Sequence, residues 1–193
     1  RIEWFCTSEE RAEFDRIEAR LSTYRVDSEI TRVNADAAFG PMSVSEELFD
    51  VVGRSLAVSE LTDGAFDITY ESVGHLYRLR DRVRPTDEII EAQLPAVDHR
   101  HVVLDAAERT IAFTTPGVRI NLGGIAKGWA CERVVARLRA AGVRHALVSA
   151  GGDTRLLGDR RGKPWIVGIR DPDDAEAVVT RLALADEAIS TSG

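Results

Sequence analysis

The 193-residue chain lacks any apolar run approaching the roughly 20 residues that a helix needs to cross a bilayer. Its apolar runs, such as the one at Ala146–Ser149, are no more than strand-length. Cysteine is scarce. Cys6 and Cys131 sit among apolar neighbours with no second Cys or His at metal spacing, so they read as small core residues rather than a disulfide and leave the redox compartment undecided. The four histidines, His75, His99, His101 and His145, form no pair at catalytic or ligand spacing, which removes a zinc enzyme and a Ser-His-Asp hydrolase. A basic excess is missing too: 25 Lys plus Arg against 32 Asp plus Glu leave a net charge of −7. Such a chain has no field to gather phosphate backbones or anionic lipid, so nucleic acid and membrane surface are not expected partners. An anionic ligand must be held by local geometry. Internal repeats and low-complexity segments are absent as well.

What is present is enough for one packed core, with 44% hydrophobic and 30% charged residues. Phe14, Ile17, Leu21 and Tyr24 recur at helical spacing behind a possible capping box at Thr7 and Glu10. Ser28–Asn34 extends this by a turn or two. Ser45 is placed to cap a second helix whose Leu48, Val51, Val52 and Leu56 share a face, ending near Thr62-Asp63-Gly64. A polar stretch from Arg78 to Arg100 reads as a surface excursion around a short helix capped by Thr86. Beyond it, strands are expected at His101–Leu104, Thr110–Phe113, Val118–Leu122, His145–Ser149, Thr154–Leu157, Trp165–Arg170, Val178–Leu184 and Ala188–Thr191. A helix from Gly124 to about Ala141, with Ala130, Val134, Val135 and Leu138 inward and Gly142 as its C′ residue, interrupts them. Helices first and strands later predict a single α+β domain over residues 1–193, with N-terminal helices on a mixed or antiparallel sheet.

Four segments carry chemistry. In Ile120-Asn121-Leu122-Gly123-Gly124-Ile125-Ala126-Lys127, paired glycines precede a helix with a lysine in its first turn. Open backbone, helix N-terminus and ammonium together suit a pyrophosphate, although Gly-Gly before a helix also makes a plain tight turn. Thr62-Asp63-Gly64-Ala65-Phe66-Asp67 offers small residues for a planar ring and a carboxylate for ring or sugar donors, or simply a helix exit with Asp67 capping a further helix through Tyr70–Leu79. Ser149-Ala150-Gly151-Gly152-Asp153-Thr154 reads either as a ribose, adenine or metal contact or as a hairpin. Tyr24, at a helix end, either stacks on a ring or completes the core stripe.

Taken in order, these segments resemble the FAD:protein FMN transferase family, the ApbE-type flavin transferases. The carriers are Leu21–Asn34 (LSTYRVDSEITRVN), Thr62–Asp67 (TDGAFD), Ile120–Ala130 (INLGGIAKGWA), Leu147–Gly158 (LVSAGGDTRLLG), Trp165–Pro172 and Ala188–Gly193 (AISTSG). The resemblance implies a protein that binds FAD with Mg²⁺, cleaves its pyrophosphate and attaches FMN through a phosphoester to a Thr or Ser of an acceptor flavoprotein. By motif, Tyr24 would pack on the flavin and Ala65, Phe66 and Asp67 would line the FAD site. Lys127 would contact the cofactor, and the Gly124 carbonyl would be a backbone magnesium ligand. Family members are often exported or membrane-anchored.

The chain departs from the family pattern at several places. Glu132 and Asn121 each stand where an Asp is common, and Ile68–Leu76 carries two or three extra residues, so that wall of the site is expected to differ. The stretch between Cys6 and Phe14 is short for the family. The family's His-x-x-Asp-Pro-x-Thr-Gly segment and its Asp/Thr metal segment are not within these 193 residues, so the catalytic residues and side-chain metal ligands are expected beyond Gly193. Both ends, Arg1 and Gly193, are accordingly expected to be incomplete, and the residues given are not expected to be competent alone. The alternative is a non-catalytic FAD-binding relative. Acceptor, oligomeric state and compartment stay open.

Overall fold

The computed structural model describes residues 8–78, 81–174 and 176–191. Two compact units divide between Ala126 and Lys127. The class is α+β, as expected, with small antiparallel sheets.

The first unit is mainly helical. α1 (Ser8–Leu21), α2 (Glu29–Asp36) and α3 (Glu46–Leu61) carry the apolar faces, and Ile17, Leu21, Ile30, Val33, Leu48, Val51 and Val52 are all buried. The starts of α2 and α3 follow from local chemistry. The Ser28 and Ser45 hydroxyls accept the Thr31 and Leu48 amides at 3.2 Å, and each cap stabilises its helix by about 1 kcal/mol. Glu29 ties the two together by accepting the Ser45 amide at 2.6 Å and the Ser45 hydroxyl at 2.5 Å. The capping box at Thr7 lies outside the described residues. α1 stops at Leu21, and a turn then carries Tyr24 off the helical stripe, leaving it 94% exposed. Core packing for Tyr24 is therefore corrected: the 3.6-residue period has no meaning past the last helical turn.

β1 (Met42–Ser43), β2 (Val102–Asp105) and β3 (Thr110–Phe113) form a sheet in the order β1-β3-β2. A short helical segment, α4 (Glu71–Gly74), comes directly after a single 3₁₀ turn at Ile68–Tyr70. α5 (Asp87–Gln93) begins after Thr86, which takes the cap position without a capping bond.

Val118–Leu122 is not a strand, and the reason is visible in its partners. The Arg119 amide donates to Ser72 Oγ (3.0 Å), the Ile120 amide to Asn34 Oδ1 (2.8 Å), and the Asn121 amide to the Ile68 carbonyl (2.9 Å). Asn34 also donates to the Ile120 carbonyl at 2.9 Å, so one side chain replaces a strand neighbour. Val118, Ile120 and Leu122 are buried beneath these bonds. Asn34→Ala is expected to lower unfolding free energy by about 2–3 kcal/mol, because both Ile120 backbone groups lose their partner; chemical denaturation measures it.

The second unit begins with α6 (Ala126–Ala140), whose Ala130, Val134 and Val135 point inward as expected. Gly142 ends it at φ +82°, with its amide on the Arg139 carbonyl (3.0 Å) and the Val143 amide on the Leu138 carbonyl (3.0 Å), a Schellman pair that the glycine permits. β4 (Ala146–Ala150), β5 (Asp153–Leu157) and β8 (Ala188–Ser190) form one sheet, and β6 (Trp165–Arg170) and β7 (Val178–Leu184) form a separate hairpin.

Cys131 is buried and unpaired, as a small core residue should be, while Cys6 lies outside the described residues. Burial first, and then the nearby Asp153 carboxylate, pushes the Cys131 thiol up to about 11. At pH 8 it therefore stays a thiol, and iodoacetamide is expected to label the Cys131 peptide only on unfolding. No helix among the described residues is long and apolar enough to cross a membrane.

Candidate functional site

The helix exit of α3 builds one wall of a cleft of about 470 Å³ in the first unit, lined by Gly64–Ile68, Tyr70, Val97, Asn121 and Gly124. After Leu61 the chain turns through Asp63 (φ +51°) and Gly64 (φ +78°), and the Gly64 amide returns to the Ser59 carbonyl at 2.8 Å. Thr62 Oγ1 accepts the Phe66 amide at 3.1 Å. Small side chains at 64 and 65 leave the backbone open to the cleft, while Phe66 crosses to the opposite wall. A Cβ on Gly124 would sit 3.1 Å from Phe66 Cε2, so glycine is needed there for the close approach of the ring. Neither Gly123 nor Gly124 has a positive φ.

Asp67 is engaged on all sides. Its Oδ1 accepts the Thr69 amide (2.8 Å) and hydroxyl (2.5 Å), and its Oδ2 accepts the His99 amide (2.8 Å) with His99 Nδ1 3.4 Å away. Three of the carboxylate's roughly four acceptor sites are taken within the protein. It caps the turn after it, as one of the two readings expected, but a 3₁₀ turn and four-residue α4 replace the longer helix.

Asn121 holds the far wall. Its Nδ2 donates to Glu71 Oε2 (3.0 Å) and Thr23 Oγ1 (3.3 Å), and its Oδ1 accepts the Gly123 amide (2.8 Å). Thr23 precedes Tyr24, so the turn bearing that exposed ring is tied to the cleft wall. Tyr70 is half-exposed, and burial, then the Glu71 and Tyr24 charges, push its phenol up from the usual tyrosine range.

The second unit holds Lys127 near the start of α6. Its Nζ spends one donor on the Gly151 carbonyl at 3.1 Å, and its stem lies against Gly151, where a Cβ would come within 2.9 Å of Lys127 Cδ. Gly151 (φ +54°) and Gly152 (φ +97°) form the two-residue turn of the β4–β5 hairpin, both in the left-handed region that a type I′ turn demands. The hairpin reading of that segment thus describes the backbone. Asp153 Oδ1 accepts the Ser190 hydroxyl at 2.5 Å, and Thr191 donates its amide to the Gly152 carbonyl at 3.1 Å. Among the described residues, no three His, Cys, Asp or Glu side chains gather as a metal site.

Of the six residues singled out from sequence, Ala65, Phe66, Asp67 and Gly124 share the cleft, Tyr24 is tethered to its wall, and Lys127 belongs to the second unit. Sequence reasoning does not single out Tyr70, Val97 or His99. Tyr70 falls in the stretch that departs from the family pattern, which is the one available signal.

The cleft thus combines open backbone at Gly64 and Ala65 with the aromatic side chains of Phe66 and Tyr70. The chain belongs to the ApbE family, whose model matches residues 2–193. The FAD:protein FMN transferase of Vibrio cholerae is 33% identical over 185 residues, 93% of this chain and 55% of that protein. The FAD:protein FMN transferase of Escherichia coli K12 is 29% identical over 191 residues, covering 95% and 54%. Among solved structures, the ApbE protein of Thermotoga maritima superposes with a TM-score of 0.88 at 30% identity, over 96% of this chain and 61% of that one. The flavin transferase ApbE of Vibrio cholerae gives 0.83 at 31%, over 100% and 65%. The chain spans about half the length of the curated relatives it matches.

Proposed function

We propose that this chain belongs to an FAD:protein FMN transferase and carries residues of its FAD site. The observation that carries the reading is the cleft in which Ala65, Phe66, Asp67 and Gly124 converge. Relatives of this name support it. The reaction is displacement at phosphorus. The hydroxyl oxygen of a Thr or Ser on an acceptor flavoprotein bonds to the FMN phosphorus, the P–O bond to AMP breaks, AMP leaves, and the hydroxyl proton is lost. Positioning and charge stabilisation are most of what such a transfer needs.

The residues divide that work. Backbone at Gly64 and Ala65 and the Phe66 ring pinned on Gly124 form a rigid slot for a planar ring. Tyr24, exposed on a turn fixed by Thr23 and Asn121, is free to cover that ring. Lys127 brings an ammonium with donors to spare, suited to a diphosphate oxygen. Asp67 acts through the backbone, holding Phe66 and the turn after it in place.

Magnesium belongs to the same proposal, with the Gly124 carbonyl as one oxygen ligand. The described side chains do not by themselves form a magnesium cage, since a hard cation asks for about six oxygens.

The test is incubation of the full-length protein that contains this chain with FAD, Mg²⁺ and a Thr-bearing acceptor protein, with nucleotides resolved by chromatography. AMP release matched to acceptor consumed is expected. AMP and FMN accumulating freely, with the acceptor untouched, would make it a hydrolase instead.

A further inference from the structure

We propose that Tyr70 is a stacking residue for a planar ring of the bound dinucleotide, and that Gly74 sets its ring in place. The proposal rests on the flavin-transferase reading and adds a residue that neither the motifs nor the resemblance singles out.

Tyr70 lines the cleft, on the wall that begins at Ile68. The Cδ2–Cε2 side of the ring lies against α4. A Cβ built on Gly74 would stand 3.0 Å from both Tyr70 Cδ2 and Cε2, closer than carbon atoms ordinarily approach, so the ring rests directly on the glycine. The residue is nonetheless 47% exposed. A ring held along one side and still half-exposed is pre-organised for stacking, because part of the entropy of ordering it is spent before the ligand arrives. Phe66 cannot take this part on its Gly124 side, which is occupied by backbone. The raised pKa of the phenol keeps Tyr70 neutral beside Glu71, so the ring presents no charge to an anionic ligand.

Gly74 has ordinary helical backbone, so an alanine there costs no strain in φ and favours helix. What it would do is push the Tyr70 ring off its seat. Gly74→Ala thus perturbs the proposed platform from behind, the next atom its methyl would meet being Glu71 Oε2 at an ordinary 3.4 Å.

The experiment is calorimetric titration of the purified protein with FAD, and with riboflavin and AMP as separate probes. Tyr70→Leu and Gly74→Ala are expected to raise the FAD dissociation constant about tenfold, and Tyr70→Phe to change it by less than about twofold. The melting temperature of Gly74→Ala should hold, which separates lost stacking from lost fold. Riboflavin binding weakened in parallel assigns the isoalloxazine to Tyr70, whereas AMP binding weakened in parallel assigns the adenine. FAD affinity unchanged in both variants, or a loss shared by neither fragment, overturns the proposal. A wild-type protein that binds no FAD overturns the reading beneath it, which is a distinguishable failure.

Discussion

Lys127→Ala is expected to weaken FAD binding by roughly tenfold to a hundredfold, the equivalent of one charge-assisted hydrogen bond of about 1.5–3 kcal/mol. The side chain is exposed, and its ammonium donates to the Gly151 carbonyl at 3.1 Å. Its removal therefore costs the fold little, because that carbonyl can turn to water. The net charge of −7 makes this lysine more important to an anionic ligand, since the protein as a whole repels a diphosphate. Three signatures should appear together in equilibrium titrations: a raised dissociation constant, an unchanged melting temperature and a reduced dependence of binding on salt. Gly151→Ala should reproduce part of the loss, because its methyl would displace the lysine stem and its φ of +54° disfavours any side chain. An unaltered dissociation constant in Lys127→Ala would return the residue to the surface.

The second large effect concerns Asp67, and it separates two roles that the sequence allows. If the carboxylate accepted donors from a flavin or ribose, Asp67→Ala would weaken binding and leave stability alone. Its oxygens are instead turned to Thr69 and His99, with the side chain 11% exposed. Truncation would leave the Thr69 and His99 amides without acceptors and remove the cap of the turn after it. A loss of about 3 kcal/mol or more in unfolding free energy is expected. Asp67→Asn keeps one acceptor oxygen but presents an amide to donors, so an intermediate loss is expected. Binding falls in both variants only as far as Phe66 is displaced. Denaturant titration alongside FAD titration resolves the matter: full stability with lost binding would make Asp67 a ligand contact after all.

Much of the fold is legible in the sequence because its signals are local. Ser28 and Ser45 announce their helices within three residues, and Gly142 closes α6 through bonds spanning five. The Val118–Leu122 segment misleads because its alternating apolar residues are the mark of a strand, while its actual partners, Asn34 and Ser72, lie far away in sequence. Periodicity reports burial and not what bonds the backbone. The cleft is half legible for the same reason. Gly-Ala-Phe-Asp and Leu-Gly-Gly are each visible as turns, but the contact of Phe66 with Gly124 exists only in the folded chain. Tyr24 shows the opposite error: a helical stripe extended one turn too far hides an exposed ring. Asp67 carries both of its possible roles in the sequence, and only the His99 contacts, 32 residues away, decide between them.

The central claim is that this chain holds FAD for transfer of its FMN half to a protein hydroxyl. The most direct measurement is the intact mass of a Thr-bearing acceptor flavoprotein after incubation with the full-length protein that contains this chain, FAD and Mg²⁺. The account predicts an acceptor heavier by one FMN less one water, with the added mass lost when the acceptor Thr is replaced by alanine. An acceptor of unchanged mass, in a mixture where FAD is demonstrably bound, would contradict it.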